Sequence, residues 1–517
     1  MTAIQPVVSS FSGNWDHIIE SPIVGKDVLE LLSSSMYVNP LSIFREYVQN
    51  ATDSIEEALA LDLLNDREIG RVDIRVDPEK RTVQIRDNGT GLSRSVFTTT
   101  LIALGASRKR GTKARGFRGV GRLAGLGYCQ ELVFRSRSAG EQEINEMRWD
   151  CRRLKSILRD PHFREDVEDL IKEVVSVQRT AGDDTSLHFF EVELSGIVRH
   201  GDDRLMNAQV IRDYLSQVAP VPFSPEFNYG TQIKSAMRSK VNVGGVLIYL
   251  DGNREPLFRP HNNEFQVRRG VLDRFSGVRF FDISGADNTI AASGWILDHG
   301  YLGAIDNTAS IKGLRLRSGN MQVGESDVLD YLFNEPRFNS WAVGEIHVLD
   351  DRILPNGRRD HFEQSTHFNN VLSQLTPIAQ DLSRRCRQSS IRRNTIRHFD
   401  MAFARVTNNV SIVRQGVLGA RERQRLQKET SAELKEMEKS CSGSSLNSAD
   451  RARLLASLRN IRRRWEKVLG ADRHNGTLNR LRGRERSILE RLFTLVYECS
   501  PNRQSAKLLI DRILARI

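Results

Sequence analysis

From Pro40 to about Leu64, apolar residues recur three and four apart at Leu41, Phe44, Val48, Ala51, Ile55 and Leu59. That is the period of one helix face. Asn39 suits the N-cap, and Pro40 the first helical position, where a missing N–H costs nothing. The pattern then changes to alternation. Val72, Ile74 and Val76, a DPEK turn, then Val83 and Ile85 predict a β-hairpin. Helical spacing returns over 116–127 and 205–217, while Leu187, Phe189 and Val192 predict a strand. This first stretch reads as a mixed layer of helices and strands.

Three prolines in VAPVPFSPEF (218–227) interrupt the pattern and mark a boundary. Strand-like pieces follow in 244–259, with Asp251-Gly252 as a hairpin turn signal, then in RFFDI (279–283) and KGLRLRSGN (312–320). Beyond Thr376 the chain reads as almost wholly helical. Leu454, Leu455, Leu458, Ile461, Trp465 and Val468 form one face of a helix over 451–469 that Gly470 would close. Residues 441–450 read as a loop, and the charged 421–440 as an exposed helix or a short coiled coil. The expected fold class is α+β, in three regions: an α/β sandwich over 1–225, a second α+β domain over 226–375, and a basic helical region over 376–517.

Charge changes this picture in one place. The 517 residues carry a net charge of +11, yet residues 381–517 hold 31 Lys and Arg against 14 Asp and Glu. That balance of +17 leaves −6 for the preceding 380 residues. An acidic partner, nucleic acid or acidic protein, is one reading of the C-terminal excess, and solvated Arg-rich helices are the other. The five cysteines are scattered and offer no C-x-x-C pair or disulfide framework. No apolar run approaches the roughly 18–20 residues that span a bilayer, and the first residues lack the charged-then-apolar order of a secretion signal. A cytoplasmic protein without a membrane partner is expected.

Four short elements carry the candidate chemistry. Glu46, Asn50 and Asp53 stand at i, i+4 and i+7, on one helix face and largely off the apolar stripe. Asp87 ends an alternating strand, and Gly89 and Gly91 follow it. A carboxylate there can accept from an exocyclic amine while glycines admit a flat ring, although an Asx-turn after a strand reads the same way. Seven glycines lie between 105 and 127, among Lys109, Lys113 and several arginines, and lead into an apolar segment. A glycine loop entering a helix offers N–H groups to phosphates; the bland reading is a basic loop. No Walker A motif occurs. Thr185 opens the strand after GDD.

Taken in order, these elements closely resemble the GHKL ATPases, which unite gyrase, heat-shock protein 90, histidine kinases and MutL. The resemblance covers about residues 20–195 and is strongest to heat-shock-protein-90-like bacterial ATPases. It implies a Bergerat fold, ATP and Mg2+ as cofactors, and a homodimer. It further implies that Glu46 is the general base, that Asn50 is the magnesium ligand, and that Asp87 reads the adenine amine with Thr185 through water. Gly89 and Gly91 would lie beside the base, Gly116, Gly119 and Gly121 in the lid over the phosphates, and Asp53 in a structural role. In the second region EIHVLDDRILPNGRRDHFE resembles the chaperone middle-domain segment ending N-x-S-R-E, where an Arg reaches the γ-phosphate. Matching Asn356 and Asp360 puts Arg359 at that catalytic position, with Arg358 the alternative; Arg358 replaces the family serine.

Histidine-kinase activity is excluded, because no phospho-acceptor helix precedes the site, and a complete type II topoisomerase lacks room for its cleavage domain. Two readings stand. One is a chaperone-like conformational ATPase, supported by the middle-domain match. The other is a MutL- or MORC-like nucleic-acid-associated ATPase in a bacterial defence or DNA-processing system, supported by the basic C-terminal region. A non-catalytic ATP switch is a third class, against which the intact Glu46 argues.

Overall fold

The computed structural model describes residues 25–31, 39–64, 70–104, 121–163, 166–182, 187–199, 201–268, 271–418, 420–470 and 481–516. The first layer contains α1 (Asp27–Glu30), α2 (Ser42–Ala60), β1 (Arg71–Asp77), β2 (Thr82–Asp87), α3 (Arg94–Ile102), β3 (Glu131–Arg137) and β4 (Glu143–Asp150). It continues through α4 (Cys151–Arg159), α5 (Val167–Val174), β5 (Val175–Ala181), β6 (Phe189–Ser195) and α6 (Ala208–Val218).

Ahead of α2 the N-cap is Leu41 and not Asn39, and Pro40 lies in the preceding turn; Asn39 holds that turn, its Oδ1 accepting from Leu41 N–H (3.1 Å) and its carbonyl from Ser42 N–H (3.0 Å). The predicted stripe is buried at Phe44, Val48, Ala51 and Ile55, but Leu59 in the last turn is exposed. The predicted hairpin pairs β1 with β2, Ile74 opposite Ile85. Asp77 closes its turn by accepting from Glu79 and Lys80 N–H. Of the helix expected over 116–127, residues 116–120 lie outside the described residues, and Gly121–Gly127 form a 3-10 helix instead of an α-helix. Three glycines in seven residues explain that, since each lowers α-helical propensity.

With β7 (Leu247–Leu250) at its edge, a seven-stranded sheet runs β5-β4-β3-β6-β2-β1-β7. Every pair is antiparallel except β1 with β7. Alternate residues Val72, Ile74, Val83, Ile85, Leu132, Phe134, Met147, Trp149, Val192 and Leu194 face α2, α4, α5 and α6 in one core. The opposite face carries charges: Arg135 reaches Glu146 (2.6 Å), Glu191 (3.0 Å) and Glu193 (2.6 Å). Helices on one side and an ion-paired surface on the other make the expected α/β sandwich.

β7 lies beyond the boundary expected near 225. Asp251 and Gly252 adopt positive φ (53° and 69°), as the turn signal requires. The hairpin forms no second strand, however, because β7 takes β1 as its partner and Leu257 N–H alone returns to the Ile248 carbonyl (2.7 Å). The chain thus leaves the first layer at its prolines, forms α7 (Gly230–Met237), and returns once before departing.

The second layer holds β8 (Glu264–Arg268), β9 (Val271–Arg274), β10 (Gly277–Ser284), β11 (Ile290–Asp298), β12 (Gly313–Ser318), β13 (Met321–Val323) and β14 (Val343–Val348). Five of these form a sheet ordered β10-β11-β14-β12-β13. One face packs on α8 (Thr366–Arg414) through Phe368, Val371, Leu375 and Leu382; the other packs Trp295, Leu297 and Val343 against α7 and Phe227. The border expected at 375 falls inside α8, whose 49 residues span about 73 Å at ~1.5 Å per residue. Its second half joins α9 (Ala420–Ser442), α10 (Ser448–Gly470), α11 (Gly483–Cys499) and α12 (Arg503–Leu514) around Phe399, Val406, Leu454, Ile461 and Trp465. The C-terminal region is therefore helical, as its pattern predicts.

Candidate functional site

α2 forms the spine of the site. Glu46 and Asp53 are buried on it, Asn50 is half-buried between them, and all three keep to one side, as their spacing demands. The Asn50 side chain makes no hydrogen bond among the described residues, so its amide is available to a ligand. At the C-terminal end of this face, Ser54 meets the turn after β2. The Ser54 carbonyl accepts from Thr90 N–H (3.3 Å), and Ser54 Oγ lies 3.3 Å from Thr90 Oγ1. Asp87 ends β2, buried, and accepts from Gly89 N–H (2.9 Å), the geometry of the alternative Asx-turn.

Two glycines here are sterically required. A Cβ on Gly89 would lie 2.2 Å from Ser54 Oγ. Gly91 has φ +66°, and a Cβ there would stand 2.2 Å from the Arg137 carbonyl. β2, β3 and α2 thus converge on backbone with no room for side chains.

Eight residues toward the N-terminus of α2, about 12 Å at ~1.5 Å rise, Glu46 meets two further elements. The first is the start of the 3-10 helix, where a Cβ on Gly121 would fall 2.2 Å from Glu46 Oε2. The second comes from the other layer: Arg359 Nε lies 3.0 Å from Glu46 Oε1. Arg359 sits in a tight loop closed by the Pro355–Phe362 bridge. Asn356 braces that loop by donating to Asp360 Oδ1 (2.5 Å) and accepting from Asp360 N–H (3.2 Å). Arg359 itself has φ 57°, a strained conformation for a residue other than glycine. Arg358, the alternative, offers α2 its carbonyl, which accepts from Arg45 Nη2 (2.8 Å).

Gly116, Gly119 and Thr185 lie outside the described residues. The others form two clusters joined by α2: Asp87, Gly89 and Gly91 at one end, Glu46, Gly121 and Arg359 at the other, with Asn50 and Asp53 between.

Sequence reasoning overlooks several neighbours. Arg45 clasps the 358–359 carbonyls and stands 3.8 Å from Glu46. Tyr47 OH donates to the Arg122 carbonyl (3.0 Å) and accepts from Gly125 N–H (3.1 Å), tying α2 to the 3-10 helix. Burial pushes the Arg122 guanidinium down to about 10. His188 Nδ1 lies 2.5 Å from the Gly89 carbonyl. Gln49 is fully buried, and neither of its amide atoms has a hydrogen-bond partner among the described residues. Arg45, Tyr47 and Gln49 all adjoin motif positions on α2, and that adjacency is the signal that could have found them.

The family model for histidine kinase-, DNA gyrase B- and HSP90-like ATPases matches residues 40–172, from the start of α2 into α5. Residues 40–172 are a GHKL ATPase domain. Curated relatives of the GHKL domain include chaperone protein HtpG of Shigella dysenteriae serotype 1 and of Escherichia coli strain K12, each 29% identical over 143 residues. The matched part is 24% of this chain and 23% of those proteins, so the chain spans under a quarter of the relatives it matches.

Proposed function

We propose that this chain binds ATP along α2 and hydrolyses it to drive a chaperone-like conformational cycle. One observation carries the reading: the Glu46 carboxylate and the Arg359 guanidinium, supplied by different layers, meet 3.0 Å apart where Gly121 leaves space. In this reading the Asp87 carboxylate accepts from the adenine amine, and Gly89 and Gly91 let the ring lie against backbone. The 3-10 segment opened by Gly121 borders the phosphate end, and the lid glycines Gly116 and Gly119 and the adenine-side Thr185 complete the pocket. Asp53 supports the wall.

The donors fit a nucleotide with magnesium. Among the described residues the Asn50 amide has no side-chain hydrogen bond, Gln49 is a buried amide without a polar partner, and no group of three His, Cys, Asp or Glu is placed to hold a metal ion. Magnesium held by a single protein oxygen and by phosphates needs no such group. When bound, it would neutralise phosphate charge; Asn50 would hold it. Glu46 orients and deprotonates the attacking water, and Arg359 places a positive charge opposite the γ-phosphate. Because Arg359 belongs to the second layer, the presence of that phosphate is coupled to the seating of one layer on the other. A cytoplasmic homodimer that closes as a clamp completes the proposal. No described helix is long and apolar enough to cross a membrane.

Glu46→Ala is expected to keep ATP binding and lose turnover, and Asp87→Asn to lose binding. Unchanged turnover in Glu46→Ala would remove the mechanism. A second reading, a nucleic-acid-associated ATPase, is favoured by one surface of the C-terminal bundle.

A further inference from the structure

The C-terminal excess of positive charge is unevenly neutralised. Along α8 five of the eight arginines are paired: Arg384 and Arg385 with Asp381, Arg387 with Glu335, Arg392 with Asp450, Arg405 with Glu433. α10 differs. Its Leu454, Leu458, Ile461 and Trp465 are buried in the bundle, which turns the opposite side to solvent. On that side Arg459, Arg463 and Lys467 follow one another at i, i+4 and i+8, flanked by Arg453 and Arg464. All five are exposed, and none has an ion pair among the described residues. Between residues 453 and 467 the sequence has one acid, Glu466, at the edge of this face.

Unpaired like charges on one face repel one another and cost stability unless a partner compensates them. We propose that this face of α10 is a docking surface for duplex DNA, bound through its phosphates. The inference rests on the second reading above and locates its contact.

The character of the face selects the partner. From Arg453 to Lys467 it runs about 21 Å at ~1.5 Å per residue, comparable with six base-pair steps of roughly 3.4 Å. Ala456 and Asn460 separate the cations, so the helix backbone can approach a groove closely. Trp465, the single aromatic of α10, is buried, which leaves no ring for stacking unpaired bases. A B-form major groove admits a helix, whereas that of duplex RNA is too deep and narrow. Four of the five cations are arginines, whose planar donors match phosphate oxygens.

The test measures binding of the full chain to a 30-base-pair DNA duplex over a salt series. The variant Arg459→Gln/Arg463→Gln/Lys467→Gln is compared with Arg152→Gln/Arg159→Gln/Arg199→Gln, an equal charge change on exposed residues of the first layer. The α10 variant should bind at least 10-fold more weakly at 100 mM salt, with a log K against log salt slope shallower by about 2.7, or ~0.9 per lost phosphate contact. The control should bind like the parent. Thermal melting of both variants separates lost contact from lost fold; should the triple variant unfold, Arg463→Gln alone carries the test, with a slope change of about 0.9. Parent and α10 variant binding DNA equally would overturn the surface while leaving the nucleic-acid reading in place. No binding by the parent would overturn both, and equal binding of duplex RNA or polyglutamate would overturn duplex DNA as the partner. ATP turnover, assayed in parallel, stays with the separate question of Glu46.

Discussion

Arg359 Nε lies 3.0 Å from Glu46 Oε1, and the loop that presents it is held in a left-handed conformation at that same residue. A strained arginine persists only where its surroundings fix it; Asn356 and Asp360 do so within the loop, and Arg45 does so from α2. Arg359→Ala is expected to lower kcat by about 10²–10³-fold, the usual loss of one preorganised donor, with a smaller change in ATP affinity. Arg359→Lys keeps the charge but not the planar fork and should fall between. Steady-state kinetics with a nucleotide-binding assay decide it; a normal kcat in Arg359→Ala would leave the loop a purely structural contact.

Gly121 offers a second way to reach Glu46 without altering it. An added Cβ would sit 2.2 Å from Glu46 Oε2, so the carboxylate must turn away. Gly121→Ala should therefore imitate Glu46→Ala, losing most turnover while still binding ATP. If the variant turned over normally, Glu46 would not need the position it occupies here.

Much of this site was legible beforehand because its elements are local. The helix carrying Glu46, Asn50 and Asp53, the strand ending at Asp87 and the helical C-terminal region all follow from spacing within one stretch of chain. What escaped prediction depends on partners distant in sequence. β7 lies past a proline-rich break and could not be assigned to β1 from its own residues. Leu59 fits the α2 stripe yet is exposed in the last turn of the helix. Cys129 and Cys151, scattered in sequence, have sulfurs 3.8 Å apart, since the end of β4 folds back beside the start of β3. Arg45, unremarkable as a surface-type residue, is buried because a loop from the second layer covers it.

The contact between the layers contains a buried charge cluster that sequence could not reveal. Glu345 on β14 faces Arg259 and Arg317 (2.7 Å to Arg317 Nη2), with Arg315 nearby. Arg317 also donates to the Gln217 carbonyl of α6 (2.7 Å), and Arg259 to the Val221 carbonyl (3.0 Å). Burial alone would raise the Glu345 pKa, but the Arg259 and Arg317 charges hold it well below the carboxylate range. Burial and the neighbouring arginine push Arg259 down to about 9. One carboxylate thus compensates several buried cations. Glu345→Gln should cost on the order of 3–5 kcal/mol, as expected when a buried charge loses its partner. Urea unfolding measures it, and a loss below about 1 kcal/mol, the scale of an exposed pair, would show that the cluster is solvated in solution.

His261 makes the same contact sensitive to acid. It lies edge-on to Phe223 (5.2 Å) and Trp295 (5.5 Å), and its Nδ1 has no hydrogen-bond partner among the described residues. Burial pushes its pKa from 6.5 down to about 3. The unfolded chain therefore binds a proton near pH 6.5 that the folded protein refuses until about pH 3. Stability from this group is fully present above pH 6.5 and is lost as the pH falls toward 3, by up to about 1.4 kcal/mol per pH unit. His347, also lowered by burial, acts in the same direction. His261→Phe keeps a ring among aromatic neighbours and removes the proton site. Its stability should fall less steeply than the parent's between pH 6.5 and 4.5, a window above the titration of most carboxylates. Urea unfolding at half-unit intervals gives both slopes, and parallel curves would mean that His261 takes up its proton in the folded state.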